Sequence, residues 1–211
     1  MLMKLRNDVY KIYKALKKQY GKPEGQWKLW CKRPKTEKEK EQVIIESILT
    51  QRANWKNVCY AISNLKAAGL LSIKKIASTP EEKIQTLIRP SGFYKIKAKR
   101  LKALCNFIEN ECGGVEKAQK LSDDILREKL LSLNGIGEET ADDILLYAFE
   151  KPFFVIDEYT RRLVRKFNLT DNFSYRHLQE LFEKGLGKKD YVLYQDYHAL
   201  IVIDGKGVNN R

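Results

Sequence analysis

Apolar side chains recur at every third or fourth position along most of this chain, which is the period of an α-helix with one buried face. Stretches in which apolar and polar residues alternate, as in a half-buried strand, are nearly absent. Segments that contain proline or glycine separate the periodic runs. The pattern predicts an all-α protein of about ten short helices. The clearest runs are Val43 to Leu49, Val58 to Leu65, Leu70 to Ile76, Ile84 to Ile88, Ala98 to Ile108, Ile125 to Leu133, Ala141 to Phe149, Thr160 to Phe167 and Leu178 to Leu186.

The N-terminal segment, Met1 to Tyr20, is basic and amphipathic, with Leu5, Val9, Ile12 and Leu16 spaced as on one helix face. It has no long apolar core followed by a small-residue cleavage site, so we interpret it as a helix that packs on the domain and not as a signal peptide. No part of the chain reaches the ~18–20 consecutive apolar residues of a membrane span. We therefore expect a cytoplasmic protein that does not enter a membrane.

The chain is strongly basic, with 40 Lys and Arg residues against 27 Asp and Glu residues and a formal net charge of +13 over 211 residues. Such an excess favours a nucleic-acid partner, whose phosphates basic side chains neutralise. A protein with lysine-rich solvated surfaces has the same composition, so charge alone does not decide. The length allows one large domain or two small ones, with ample apolar content for a core.

The four cysteines lie without the C-x-x-C spacing of a metal site or a redox motif. This pattern is typical of reduced thiols in a cytosolic protein. We expect Cys59 and Cys105 to lie in the core, and no metal site from Cys31, Cys59, Cys105 and Cys112.

A Gly-x-Gly turn lies between two helical runs, in the segment Leu133-Asn134-Gly135-Ile136-Gly137. Two glycines one residue apart allow a sharp turn that brings backbone N–H groups close to an anion, and the following helix adds the positive end of its dipole. A generic interhelical turn gives the same triplet, because glycine often ends helices. The turn is thus a candidate phosphate-binding hairpin.

Asp157 lies twenty residues after the second glycine of this turn and directly before an amphipathic run with Leu163, Val164 and Phe167. An aspartate in this position is typical of a helix N-cap. Asp157 is therefore expected to begin a helix, whatever else it does.

A family resemblance is carried by four segments in order: Ile48–Trp55, Ile88–Leu101, Leu133–Ala141 and Phe154–Leu163. Together they resemble the endonuclease III-like helix-hairpin-helix DNA glycosylases, and most closely the branch that contains the 3-methyladenine glycosylases. The resemblance extends from Val43 to Gly205. It implies a two-lobed all-α architecture with the DNA groove between the lobes. One lobe would be residues 42–150 with the hairpin, and the other residues 1–41 plus 151–211 with the catalytic aspartate.

The resemblance implies that Asp157 is the catalytic residue. Cleaving a base from deoxyribose builds oxocarbenium character on the sugar, and a fixed carboxylate stabilises that charge and orients or deprotonates the attacking water. Bifunctional relatives carry a lysine two residues after the second glycine, and its amine forms a Schiff base that allows strand cleavage. Here that residue is Glu139, which implies a monofunctional glycosylase. Lys95 is the candidate if another lysine takes the role.

The resemblance also implies the DNA contacts. Backbone N–H groups of the hairpin would hold one phosphate, directly or through a bound monovalent cation, and a threonine would add its hydroxyl. A glutamine would fill the stack that the flipped base leaves, and a neighbouring loop would enter the minor groove. Taken alone, this glutamine is an ordinary surface residue and the loop an ordinary turn. The residues are Gly135, Ile136, Gly137 and Thr140 at the hairpin, then Gln51, and Arg89, Pro90, Ser91, Gly92 and Lys95 at the loop.

Trp27 and Trp30 are the candidate residues of the base pocket. Stacking on aromatic faces favours an electron-poor or cationic alkylated purine over a normal base. Related alkylbase glycosylases carry adjacent tryptophans in this segment, whereas here two residues separate them. A purely structural role for both tryptophans is the alternative.

The segment Tyr197–Lys206 resembles the helix that, in many relatives, leads to four cysteines holding a [4Fe–4S] cluster. Asn209 stands where the first ligand is expected, so the resemblance implies no cluster, and we expect no other cofactor. Lys206 is expected to fasten this end by hydrogen bonds or ion pairs. His198 is interpreted as a packing histidine, and His177 gives no signal.

Together these features predict a monomeric, nucleoid-associated, monofunctional DNA glycosylase. Its partner would be duplex DNA with a damaged base, and its preferred substrate an alkylated purine of the 3-methyladenine type. One enzymatic alternative stays open, in which the same fold acts on uracil, mismatched thymine or an oxidised base. A second, non-enzymatic alternative is a non-catalytic helix-hairpin-helix DNA-binding module. A helical adaptor whose charge is merely solvating is a third alternative.

Overall fold

The computed structural model describes residues 2–208, and the side chains of residues 8–207. Across this part of the chain the regular structure is helical and no strand is present, which confirms the all-α prediction. None of the described helices is both long enough and apolar enough to span a membrane. The α-helices are α1 (Leu2–Tyr20), α2 (Trp27–Trp30), α3 (Glu37–Leu49), α4 (Trp55–Ala67), α5 (Ile73–Ser78), α6 (Glu81–Ile88), α7 (Tyr94–Asn106), α8 (Val115–Lys120), α9 (Asp123–Leu131), α10 (Glu138–Asp143), α11 (Glu158–Phe167), α12 (Tyr175–Leu186) and α13 (Tyr191–Val208).

The structure contains more helices than the sequence predicts because several are very short. Helix α2 has four residues and α8 has six, which is too few turns for a 3.6-residue period to appear. Helices α7 and α10 each continue into a π-helical turn, Phe107–Glu111 and Ile144–Ala148 respectively. Helix α6 continues into a 3₁₀ turn, Arg89–Ser91.

The chain forms two compact units, one of residues 34–144 and one of residues 1–33 together with 145–211. In the unit of residues 34–144, α7 packs against α3, α5 and α6. Its core is mainly aliphatic, and side chains such as Ile44, Ile84 and Leu101 are fully buried. Burial of one such side chain contributes roughly 1.5–3 kcal/mol.

In the unit of residues 1–33 and 145–211, α13 packs against α1 and α11, and α12 packs against α1. Its core is rich in aromatic rings. Phe154 stacks on Phe182 with ring centroids 4.5 Å apart, and both rings contact Tyr197. The Tyr197 hydroxyl donates to the Val9 carbonyl at 3.0 Å, which ties α13 to α1. These contacts fix α13. Helix α11, which follows the candidate catalytic residue Asp157, packs against α13.

The C-terminal part of α13 is held to the N-terminal helices by polar contacts. Lys206 donates from Nζ to Oε1 of Gln26 at 2.9 Å, and the Tyr20 hydroxyl donates to Asp204 at 2.8 Å. The Lys206 bond is of the kind predicted for this end of the chain. Asn209, which the sequence places at a cluster-ligand position, lies outside the described residues.

Cys105 is fully buried, as predicted, whereas Cys59 is exposed, so the prediction of a core position for Cys59 was wrong. Val58, Ala61 and Leu65 mark the buried face of α4. Because successive residues of an α-helix are about 100° apart, Cys59 turns away from the face to which Val58 belongs.

Candidate active site

Asp157 lies at the beginning of α11, after a segment without regular secondary structure. Its backbone is extended, with φ −98° and ψ −175°, and its Oδ1 atom accepts a hydrogen bond of 2.7 Å from the Thr160 N–H. This is the N-cap geometry that the sequence predicts. The cap fixes one carboxylate oxygen of Asp157 and leaves the other for a second partner.

That second oxygen of Asp157 faces His198. The Nε2 atom of His198 lies 3.6 Å from Oδ2, and the two side chains expose 4% and 14% of their surface, histidine first. Burial alone would raise the pKa of Asp157, but the interactions with His198 and with Thr160 outweigh burial and lower it. Asp157 is therefore ionised at neutral pH, which a carboxylate must be if it is to stabilise positive charge.

His198 is a residue of this site that the sequence interpretation missed. Its Nδ1 atom lies 2.7 Å from the Tyr147 hydroxyl, and that hydroxyl also lies 3.3 Å from the Gln195 carbonyl oxygen. His198 belongs to α13 and Asp157 to the start of α11, so no local sequence pattern joins them. The available signal was a histidine within the otherwise apolar run of residues 197–203.

Aromatic rings form a cluster around His198. The Trp27 ring centroid lies 5.9 Å from that of Trp30, 5.7 Å from that of Tyr147 and 5.7 Å from that of His198, and Trp30 lies 5.0 Å from Tyr147. The structure thus places both predicted pocket tryptophans in one cluster with His198, the residue that lies next to Asp157. Trp27 and Trp30 expose only 6% and 5% of their surface, so a base can stack on either ring only after a local opening.

The Gly-x-Gly turn joins α9 to α10 in the unit of residues 34–144. Gly135 has φ +83°, in the left-handed region, and a Cβ atom there would lie 2.0 Å from Nε of Arg100. The Ile136 N–H donates to the Leu133 carbonyl at 3.1 Å, so an anion would compete with that bond. Gly137 is the N-cap of α10, and no atom lies within 4 Å of its added Cβ. The turn is therefore crowded at its first glycine and open at its second.

The sequence model of the HhH-GPD superfamily, described as base excision DNA repair proteins, matches residues 45–188. The chain belongs to this superfamily. A Methanocaldococcus jannaschii protein named as a DNA repair glycosylase is 45% identical over 197 residues, which are 92% of this chain and 85% of that relative.

Solved structures extend the comparison of this HhH-GPD chain. The 3-methyladenine DNA glycosylase of H. pylori, in complex with 1,N6-ethenoadenine, matches with a TM-score of 0.79 at 31% identity over 95% of this chain and 98% of that one. A non-covalent complex of endonuclease III with DNA matches with a TM-score of 0.72 at 18% identity over 94% and 85% of the two chains, and shows the same fold. The comparisons thus agree on a base excision DNA repair protein of the HhH-GPD superfamily.

Gln51 of this HhH-GPD chain is hydrogen-bonded to the hairpin. Its Nε2 atom donates to the Gly135 carbonyl at 3.3 Å and to the Thr140 hydroxyl at 3.1 Å. Nη1 of Arg100 donates to its Oε1 atom at 2.8 Å. The structure therefore brings Gln51 together with two of the predicted hairpin residues, and the Thr140 hydroxyl oxygen accepts from Gln51 while its own proton stays able to donate.

The predicted wedge loop is the 3₁₀ turn Arg89–Ser91, followed by two residues in the left-handed region, Gly92 with φ +69° and Phe93 with φ +47°. Phe93 exposes 63% of its surface, and Lys95 is also exposed. The sequence interpretation of this HhH-GPD loop omitted Phe93. The signal was an aromatic residue directly after the loop's glycine, and the exposed ring is the loop's apolar tip.

Lys97 is buried between this loop and the end of α3. Its Nζ atom donates to the Leu49 carbonyl at 2.7 Å and to the Ser91 carbonyl at 2.8 Å. Burial lowers the pKa of Lys97 to about 8. One amine thus joins the end of α3, which precedes Gln51, to the predicted wedge loop.

We expect Lys97→Met to lower the free energy of unfolding by about 2–4 kcal/mol, because two buried carbonyls lose a hydrogen bond. Lys99→Met, at an exposed position of the same helix, is the matched control and should change it by less than about 0.5 kcal/mol. Urea unfolding at neutral pH measures both. Equal effects of the two substitutions would show that the buried amine contributes nothing.

The pH dependence of stability provides a second test of the contribution of Lys97. Its pKa in the folded protein, about 8, lies below the ordinary value of 10.5, so between these values the unfolded chain binds the additional proton. The contribution of Lys97 to stability therefore rises with pH through this window. The Met variant should lack this rise, whereas the Lys99 variant should keep it.

Iron–sulfur clusters need several cysteine thiolates close together. Within the described residues, no group of three or more His, Cys, Asp and Glu side chains is placed to hold a metal ion. Cys105 is fully buried, and burial raises its pKa, which disfavours the thiolate that a cluster requires. The described residues thus offer no such ligand set, and the absence of a cluster from this protein stays a prediction.

Proposed function

We propose that this chain is a monofunctional DNA glycosylase that hydrolyses the bond between an alkylated purine and deoxyribose in duplex DNA. The observation that carries the proposal is Asp157, an ionised carboxylate held at a helix start beside an aromatic cluster. As the base leaves, positive charge grows on the sugar, and the carboxylate stabilises it. Water then attacks the sugar carbon and gives its proton to Asp157. The product is an abasic site.

Glu139 supports a monofunctional reaction. A carboxylate cannot form an imine with the sugar, and Glu139 occupies the position of the lysine that does so in bifunctional relatives. Two other amines are the ones to test if strand cleavage is seen. Lys95 is exposed beside the wedge loop. Lys206 has its pKa lowered by burial, against the opposing effect of the Asp157 charge.

An alkylated purine is favoured as the substrate for two reasons. Trp27, Trp30 and Tyr147 offer aromatic faces near His198 and Asp157, and such faces attract electron-poor or cationic rings. The H. pylori relative is a 3-methyladenine glycosylase bound to 1,N6-ethenoadenine. The same fold acting on uracil, mismatched thymine or an oxidised base is the second candidate.

The proposed DNA contacts follow from exposure and charge. The Gly135–Gly137 turn would hold one phosphate, with or without a monovalent cation, because Gly137 leaves room for it. Phe93 would enter the duplex as an apolar wedge, with Arg89 and Lys95 near the backbone. Gln51 would fill the vacated stack. We propose that one copy of the chain binds one damaged site.

The deciding experiment is base release from duplexes that each carry one lesion, scored with and without alkali. The panel contains 3-methyladenine, 7-methylguanine, 1,N6-ethenoadenine, uracil, mismatched thymine and 8-oxoguanine. Alkali-dependent cleavage of the alkylated duplexes alone is the expected result. Cleavage without alkali, together with a borohydride-trapped adduct, would overturn the monofunctional reaction and direct attention to Lys95 and Lys206.

The same panel separates the remaining candidates. Release of uracil, thymine or 8-oxoguanine in preference to the alkylated bases would support the second candidate substrate class. Duplex binding that weakens with salt, with no base released from any lesion, would support a non-catalytic DNA-binding module.

A further inference from the structure

The contacts of His198 restrict which ring nitrogen carries its proton. Its Nε2 atom is buried, has no hydrogen-bond partner among the described residues, and points at Oδ2 of Asp157 from 3.6 Å. An ionised carboxylate accepts hydrogen bonds only. A lone pair on Nε2 would therefore face a negative oxygen, whereas an N–H group at Nε2 would be attracted to it.

Tyr147 is placed to hold the ring in the favourable form. Its hydroxyl has one proton and lies 2.7 Å from Nδ1 of His198 and 3.3 Å from the Gln195 carbonyl. The shorter distance favours donation to Nδ1, which leaves the proton of a neutral His198 on Nε2, facing Asp157. Donation to Gln195 would instead pair with a proton on Nδ1 and leave a lone pair on Nε2 towards the carboxylate.

The acceptor on the far side of Tyr147 is itself fixed. The Gln195 side chain donates from Nε2 to the Leu146 carbonyl at 2.7 Å, and Nη1 of Arg33 donates to its Oε1 atom at 3.3 Å. Tyr147 is fully buried within the π-helical turn Ile144–Ala148. π-Helical turns occur frequently at functional sites. The carbonyl that lies 3.3 Å from the hydroxyl therefore belongs to a residue whose side chain is itself held by hydrogen bonds.

We propose that His198 is the positioning residue of Asp157, aiming an Nε2–H group at its Oδ2 atom, and that the Tyr147 hydroxyl keeps the ring in the tautomer that does so. This inference rests on the role of Asp157 given under the proposed function. The Nε2–H group attracts the second carboxylate oxygen from 3.6 Å, while the Thr160 N–H holds the first by a hydrogen bond of 2.7 Å. Each oxygen has a further lone pair, so Asp157 can still accept from the attacking water.

The groups around this pair, within the described part of the chain, come from several elements. Tyr147 faces His198 from the π-helical turn and Asp157 faces it from the start of α11, while the Trp27 ring of α2 lies edge-on to it. Lys206, on the same helix as His198, interacts with the charge of Asp157. Tyr147 and Asp157 therefore supply the polar groups described at the two ring nitrogens.

Two variants of His198 separate positioning from packing. His198→Gln places an amide N–H near the position of Nε2 without a titratable ring, and His198→Leu removes the donor. We expect single-turnover base release to fall roughly 10- to 100-fold in the Leu variant, with duplex Kd unchanged. The Gln variant should recover most of the rate, because its amide N–H replaces the lost donor. Equal losses in both variants would overturn the proposal.

The tautomer can be measured without any activity, so failure of the proposed function would be recognised separately. The chain has two histidines, and His177→Gln leaves His198 as the single ring in the spectrum. Long-range ¹H–¹⁵N correlation should show a proton on Nε2 between about pH 6 and pH 8. In Tyr147→Phe a population with the proton on Nδ1 should appear. A wild-type ring protonated mainly on Nδ1 would overturn the proposal even in a protein that releases bases.

Discussion

Asp157→Asn should lower the rate of base release by roughly 10²- to 10⁴-fold and leave duplex binding within about twofold. In the proposed mechanism, the substitution removes the negative charge that stabilises the oxocarbenium-like sugar. It keeps an oxygen that can accept from the Thr160 N–H, and asparagine is as good an N-cap as aspartate. Single-turnover kinetics on the best substrate of the lesion panel and a binding isotherm on the same duplex measure the two quantities.

The N-cap of another helix serves as a control for the loss of a capping hydrogen bond. Ser122 caps α9 by accepting from the Ile125 N–H at 3.4 Å, and Ser122→Ala should cost about 1 kcal/mol of stability without slowing base release. A slow Asp157→Asn enzyme whose melting temperature has also collapsed would indicate a structural aspartate. A variant with wild-type rate would remove Asp157 from the chemistry altogether.

Asp157→Asn should also change how the stability of the protein depends on pH under acidic conditions. The pKa of Asp157 is lowered in the folded protein, so its charged form contributes stability that is present above the ordinary pKa, about 4, and is lost as the pH falls through the folded value. Asparagine does not titrate. The stability of Asp157→Asn should therefore depend less on pH below about pH 4 than that of the wild type.

The two glycines of the hairpin should respond differently to alanine. Gly135→Ala should lower the free energy of unfolding by about 2–4 kcal/mol. Its φ of +83° strains any Cβ-bearing residue, and the added methyl would displace Arg100 from its contact with Gln51. Gly137→Ala meets no atom within 4 Å and should cost about 1 kcal/mol or less. Urea unfolding of both variants gives the comparison.

Duplex binding completes the comparison of the glycines. The Gly137 methyl would occupy the open side of the turn, where the proposal places a phosphate, so this variant should bind DNA more weakly although it is folded. Wild-type affinity in Gly137→Ala would argue against a phosphate at this position. Similar stability of the two alanine variants would show that Arg100 moves aside easily.

The sequence predicts best those features that depend on neighbouring residues. Helical periodicity gave the all-α class, and the residue type before an amphipathic run gave the Asp157 cap. The hairpin followed from two glycines, one of which does adopt the left-handed region. Each of these depends on a few consecutive positions, which is the range over which backbone preferences act.

Features that depend on tertiary packing were not predictable in the same way. His198 and Tyr147 lie far from Asp157 in sequence, and only the packing of α13 on α11 makes His198 its neighbour. Cys59 has the apolar character of a core residue but lies on the outer side of α4. In the sequence, Lys97 is one of several lysines in a basic helix. Its burial depends on two carbonyl partners that only the tertiary structure reveals.

The contacts of Gln51 bear on how the protein would search DNA. In the free protein this side chain already makes hydrogen bonds to Gly135, Thr140 and Arg100. If Gln51 fills the vacated stack as proposed, its insertion must exchange all three for contacts with bases, and an intact stack offers no gap for them. The protein would then scan undamaged DNA with the glutamine still bound to the hairpin. The free-state contacts would act as an energetic threshold, so that Gln51 is released only where a weakened base pair has already opened.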